Sequence, residues 1–194
     1  MSPMRLIVNP AAGRGHTARV EADVQRILKG MGVLFDVVRT TQPDEAVSLA
    51  QQAAEEGCQP VVAVGGDGTV HEVLNGLMRA HANGGPVGTL GVIPTGSGND
   101  FDYMLDTPDG LEGACRRLAE GKMRLIDVGR INDRYFANGV GIGFDAAVNV
   151  RPKHTSTSSS GSNTPLGVPC WGSPTNCSVN EPVMKCSPGA PASP

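Results

Sequence analysis

The chain has 194 residues, room for one or two domains, with 39% hydrophobic residues, 26 glycines and 4% aromatics. A formal net charge of −3 gives no reason to expect nucleic acid as a partner, and no strong electrostatic pull toward an anionic membrane. No apolar run approaches the roughly 20 residues that cross a bilayer. The start, MSPMRLIVNPAAGRG, carries no signal-peptide pattern, so a cytoplasmic location with at most transient contact at a membrane surface is expected.

Taken in order, Met4–Val8 is a short apolar run that reads as a buried strand. A Gly-rich loop, Asn9-Pro10-Ala11-Ala12-Gly13-Arg14-Gly15, follows it. Thr17–Met31 places Val20, Val24, Ile27, Leu28 and Met31 on one helical face, with Thr17 as its N-cap and Gly30 and Gly32 at its exit. Val33–Arg39 reads as a second strand and Pro43–Glu56 as a helix with a small-residue packing face. Pro60–Val64 is an all-apolar third strand, as a strand covered on both faces should be. Thr69–His81 is a helix, Thr89–Ile93 a fourth strand, and Ser97–Leu105 and Leu111–Glu120 are helices. Met123–Val128 and Arg134–Asn138 read as further strands. Strands alternating with helices predict an α/β domain over residues 1–145, a layered, mainly parallel sheet flanked by helices.

After Val150 the grammar changes. Residues 151–194 hold eight of the fifteen prolines and a Ser/Thr run at Thr155–Ser160, with no periodic apolar pattern. A segment of this composition cannot bury enough apolar surface to offset its ordering entropy, so a disordered tail is expected; a change of reading frame is the competing explanation. The five cysteines, 58, 115, 170, 177 and 186, fit no metal-binding spacing and read as free or buried thiols.

Three loops at predicted strand ends carry the chemistry. In Gly65-Gly66-Asp67-Gly68-Thr69, glycines let the backbone approach a bulky anion, and the start of the next helix points N–H groups at it. Asp67 is the odd member, because a carboxylate beside phosphates needs a cation or a transferable proton. Mg²⁺ coordination, in part through water, or proton handling is its expected work. Thr69 can donate its hydroxyl to phosphate or cap the helix. Pro94-Thr95-Gly96-Ser97-Gly98-Asn99-Asp100 offers two hydroxyls and flexible backbone after another strand. In the first loop, Asn9 can reach an adenine or ribose edge and Arg14 can pair with phosphate. The Gly-Lys-Ser/Thr of a P-loop does not follow, and no GxGxxG follows the first strand.

NPxxGxG, GGDGTxxEVxNG and PTGSGNDF in this order and spacing resemble the diacylglycerol kinase catalytic domain, and in particular the bacterial-type soluble lipid kinases related to sphingosine kinases. The resemblance covers about Met4 to Asn149. It implies a nucleotide domain like that of phosphofructokinase and NAD kinase, then a β-sandwich domain, with ATP in the cleft between them. It also implies Mg²⁺-dependent transfer of the γ-phosphate to a hydroxyl of diacylglycerol or a related lipid. By the same resemblance, Asn9, Thr40, Gly65, Gly66, Asp67, Gly68, Thr69, Val70, His71 and Ser97 match nucleotide contacts. Asp127 is similar to an Asp that supports a metal network with Asp67. Glu72 and Asn75 follow the EVxNG pattern without a catalytic role being implied. Asn138–Ala146 resembles the entry into the second domain; the family's general base and second-domain metal ligands find no match in residues 151–194. An NAD kinase or phosphofructokinase relative would share GGDG but not PTGSGNDF. A nucleotide-binding fragment without catalysis is the remaining alternative.

Overall fold

The apolar strands alternate their side chains between two faces, and this alternation builds two cores. The computed structural model describes residues 3–105, 110–138 and 185–186. Strands β1 (Met4–Val8), β2 (Phe35–Arg39), β3 (Val61–Gly65) and β4 (Thr89–Pro94) run parallel in the order β2-β1-β3-β4. The register aligns Ile7 with Ala63 and Ala63 with Val92 on one face, and Val8 with Val64 and Val64 with Ile93 on the other. The first row packs with α2 (Glu45–Glu55) and α3 (Asp67–Ala82). The second packs with α1 (Ala12–Gly30) and α5 (Gly110–Glu120), chiefly through Val24, Leu28, Cys115 and Leu118. Burial on both faces is why β3 reads as an unbroken apolar run.

Three residues of the EVxNG sequence lock α3 to its neighbours. A Cβ on Gly76 would lie 2.7 Å from the Ala50 side chain and 2.9 Å from the Gln51 nitrogen, so only glycine lets α2 and α3 approach this closely. The Glu72 carboxylate accepts the Ala46 N–H at 3.2 Å and so caps α2, whose own N-cap residue, Asp44, makes no side-chain cap. Asn75 bonds the backbone of Tyr135, in a hairpin described below.

Several expectations change in detail. The span of α1 includes a kink at Gly13, Arg14 and Gly15, all in the left-handed region, so its regular helix starts only after Gly15, close to the expected start at Thr17. Thr17 is fully buried, and its hydroxyl bonds the Thr95 hydroxyl at 2.6 Å and the Ala12 carbonyl at 3.3 Å rather than an N–H of the helix. Pro43 and Asp44 precede the second helix, and Ser97 lies in a loop, because α4 (Asp100–Met104) starts three residues later. Met123–Val128 is not one strand. Only β5 (Arg124–Leu125) is extended, and Gly129–Ile131 (β6) turns back on Arg134–Phe136 (β7) as an antiparallel hairpin outside the main sheet. Of the Ser/Pro-rich stretch, Lys185–Cys186 (β8) is placed between β4 and β5. The remainder of residues 151–194, with Cys170 and Cys177, and the motif continuing after Asn138 lie outside the described residues. No helix among the described residues is long and apolar enough to cross a membrane.

Candidate functional site

Because β1 to β4 are parallel, their carboxyl ends share one edge, and each expected loop leaves from it. The order β2-β1-β3-β4 makes the chain wind outward in opposite directions from β1 and from β3. In such sheets the crevice at that reversal is where ligands bind. Asn9 leaves β1 and Gly66 leaves β3 on the two sides of the crevice, joined by the Asn9 N–H donating to the Val64 carbonyl at 3.0 Å. Thr40 follows β2, its N–H bonded to the Val8 carbonyl at 2.9 Å.

The loops are fastened to one another. Asn9 Nδ2 donates to Thr69 Oγ1 at 3.1 Å, and Asn9 Oδ1 accepts the Ala11 N–H at 3.1 Å. Both polar ends of Asn9 are thus engaged within the protein, and buried Thr69 receives that amide instead of capping the helix. Gly13 lies against the Thr95 carbonyl, and Gly66 against the Gly96 backbone, so both glycines serve loop-to-loop packing. Gly68 differs: a Cβ there would meet nothing within 4 Å. Gly68 and Ser97 are exposed, with Val70 buried behind them.

Asp67 joins the second loop to the third. Its Oδ2 accepts the Asn99 N–H at 2.8 Å and its Oδ1 the Phe101 N–H at 3.0 Å, which caps α4 from another element. Asn99, at φ 62, closes the third loop on itself: its Oδ1 accepts the Gly96 N–H at 2.9 Å and its Nδ2 donates to the Gly96 carbonyl at 3.2 Å. The N–H groups at the start of α3 meanwhile face the loop edge without intrahelical partners, the usual condition of a helix start.

Asp127 is exposed between β5 and β6, and no hydrogen bond or ion pair ties it to Asp67. Among the described residues no three His, Cys, Asp or Glu side chains gather as a metal cage. This donor set suits Mg²⁺ better than a cage-bound metal, since Mg²⁺ keeps several waters and takes one or two carboxylates beside substrate phosphates. Each Asp67 oxygen already accepts one N–H and has a further lone pair, so the carboxylate can hold a metal-bound water.

Two hollows open beside this edge. An apolar cavity of about 450 Å³ has Val70, Leu74 and Phe101 on one side, Ile131 and Phe136 of the hairpin on the other, and Asp67 in its lining. A smaller polar hollow of about 260 Å³ is lined by Asp44, His71, Glu72, Arg79 and Arg134, among others. Burial, helped by nearby Arg134 and opposed by Asp44, holds the His71 imidazole below its usual pKa. Burial pushes the Glu72 carboxyl above the usual range, against the lowering effect of the Ala46 N–H. Of the hairpin wall the sequence showed the second strand, within Arg134–Asn138, and concealed the first strand and the turn. Its one signal is Asn132-Asp133 between two short β-prone runs, with Asn132 at φ 53, as a two-residue hairpin loop requires.

The profile of the family described as the diacylglycerol kinase catalytic domain matches residues 3–131. The chain belongs to that family. Diacylglycerol kinases of Staphylococcus saprophyticus and of Staphylococcus aureus strain bovine RF122 are 35% and 36% identical to it over 134 residues. Those alignments cover 69% of this chain, and 43% and 41% of the respective relatives. The crystal structure of a diacylglycerol kinase from Bacillus anthracis str. Sterne superposes with a TM-score of 0.59 at 28% identity, covering 70% of this chain and 45% of that one. Two further solved structures from that organism give TM-scores of 0.60 and 0.61 at 29% identity. The chain thus spans less than half the length of the diacylglycerol kinases it matches. All three loops, and the hairpin's first strand, fall within the matched family region.

Proposed function

We propose that this chain forms the nucleotide-binding domain of an ATP-dependent lipid kinase, acting on a hydroxyl of diacylglycerol or a related lipid. The observation that carries the reading is the convergence of three Gly-containing loops on the crevice between β1 and β3, with the Asp67 carboxylate bonded across two of them. In this reading the N–H groups of Asp67, Gly68 and Thr69 at the start of α3 receive the phosphate oxygens, aided by the helix dipole. Gly68 leaves its space to the ligand. Ser97, exposed on the third loop, adds a hydroxyl donor, while Asn9 and Thr69 hold the first loop to the second and thereby set the distance between them. Thr40 completes the nucleotide-side lining, and Val70 and His71, which also line the apolar cavity, border both sides. Asp67, through water, and Asp127 as a second carboxylate would hold Mg²⁺, which would supply the charge neutralisation that phosphoryl transfer requires. The apolar cavity bordering Asp67 suits the glyceryl end and first methylenes of the acceptor, since its volume falls within the roughly 300–1,000 Å³ of small-molecule sites.

Phosphoryl transfer needs several groups placed at once, and no base for the acceptor hydroxyl stands out among the described residues. Residues 1–194 by themselves should therefore bind Mg·ATP yet phosphorylate diacylglycerol weakly or not at all. An assay with Mg·ATP and diacylglycerol tests this: robust turnover by this chain, abolished by Asp67→Ala, would contradict the weak-activity expectation. Absence of nucleotide binding would contradict the reading as a whole.

A further inference from the structure

Asn75 is buried within α3, 5% exposed, and every polar atom of its side chain is used. Nδ2 donates to the Tyr135 carbonyl at 2.9 Å and to the His71 carbonyl at 2.8 Å, and Oδ1 accepts the Tyr135 N–H at 2.9 Å. The exchange with Tyr135 copies the two reciprocal bonds of facing residues in an antiparallel ladder, with a side-chain amide standing in for one strand. This matters because, among the described residues, the β6–β7 hairpin has no other ladder. There its strands pair with each other, three residues to a side, and a lone two-stranded hairpin is marginal at best in water. Its position is therefore set by what it docks against. Apolar packing supplies attraction without direction, whereas the amide pair fixes register. Register decides what the hairpin presents, since a slip of one residue exchanges the two faces of a strand. In the register observed, Ile131 and Phe136 face Val70, Leu74 and Phe101 across the apolar cavity.

We infer that Asn75 is a positioning residue for the acceptor side of the site: its amide clasps Tyr135 and so holds the hairpin as one wall of the cavity beside Asp67. The inference rests on the acceptor reading above; the clasp meets the nucleotide side only at His71, one turn earlier on α3, and bonds neither the first loop nor the third. It therefore separates two affinities that a general loss of structure would lower together.

The test uses the whole 194-residue chain, native and with Asn75→Ser, which is too short to reach Tyr135. Each is titrated with dioctanoylglycerol and, separately, with Mg·ATP, and hydrogen exchange is followed across residues 129–136. The variant should exchange faster in that segment and bind dioctanoylglycerol about tenfold more weakly, the loss expected for a buried amide pair. Its Mg·ATP affinity should stay within about twofold. Parallel loss of both affinities would overturn the inference, as would unchanged dioctanoylglycerol binding or unchanged exchange at the hairpin. If Asn75→Ser does not fold, Asn75→Asp, which keeps the acceptor oxygen and loses the donors to Tyr135 and His71, must give the same split. A native chain that takes up no dioctanoylglycerol also overturns it, while the Mg·ATP titration judges the nucleotide reading separately.

Discussion

The glycines of the proposed phosphate loops divide by what a Cβ would meet. Gly66 has the Gly96 backbone 3.1 Å from that position, and Gly65 has Thr69 closer still, so both are demanded by the protein itself. Among the described residues nothing lies within 4 Å of a Cβ on Gly68, so a methyl there tests the space the proposed ligand would need without disturbing the packing. Gly68→Ala should therefore fold with equal or slightly higher thermal stability while binding Mg·ATP at least about tenfold more weakly. Calorimetry on the variant checks both halves; unchanged affinity would release Gly68 from the site. By contrast, Gly66→Val would wedge two loops apart, and its loss of binding could not be told from loss of structure. Asp67 shows the same limit of reading from sequence. Its residue type pointed to metal or proton work, but its bonds to Asn99 and Phe101 cross more than thirty positions and no local pattern reveals them.

At the scale of elements, α3 is the part on which most else depends. Its start carries the candidate phosphate contacts, its middle packs on α2 through Gly76, and Asn75 holds the hairpin. Gly76→Ala places a methyl against the Val47 carbonyl and 2.7 Å from the Ala50 side chain, so it should destabilise the fold by about 1–3 kcal/mol despite alanine's better helix propensity. Chemical denaturation gives the sign directly. His71 predicts a pH effect. Its folded-state pKa lies below the ordinary value, so the stability linked to its neutral form is present above about 6.5 and lost as pH falls toward the folded-state value. Replacement by Gln should flatten the fall in unfolding free energy between about pH 7 and 5; an unchanged slope would assign that fall to other groups. The four parallel strands and their helices were legible because each is long enough to show its period. Of the hairpin only the second strand was legible, within Arg134–Asn138; the first, Gly129–Ile131, opens on a glycine and is three residues long, too short to show a period. Thr17 was misread as a cap because its true partner, Thr95, lies in another loop.

For the whole molecule, the parallel order β2-β1-β3-β4 turns separate motifs into one site, by bringing all four carboxyl ends to one edge. Family and fold follow from residues 3–131, the proposed activity would draw on groups beyond these loops, and the matched relatives are more than twice as long as the matched stretch. Binding and turnover are therefore separable properties, and binding is the one these residues should show. The most direct measurement is a titration of the 194-residue chain with Mg·ATP, followed residue by residue through its backbone amide resonances. Saturable shifts should concentrate in Asn9–Gly15, Gly65–His71 and Thr95–Asn99, at the carboxyl edge of the sheet. No saturable shift, or shifts centred at the opposite edge around Met4, Val61 and Thr89, would contradict the account.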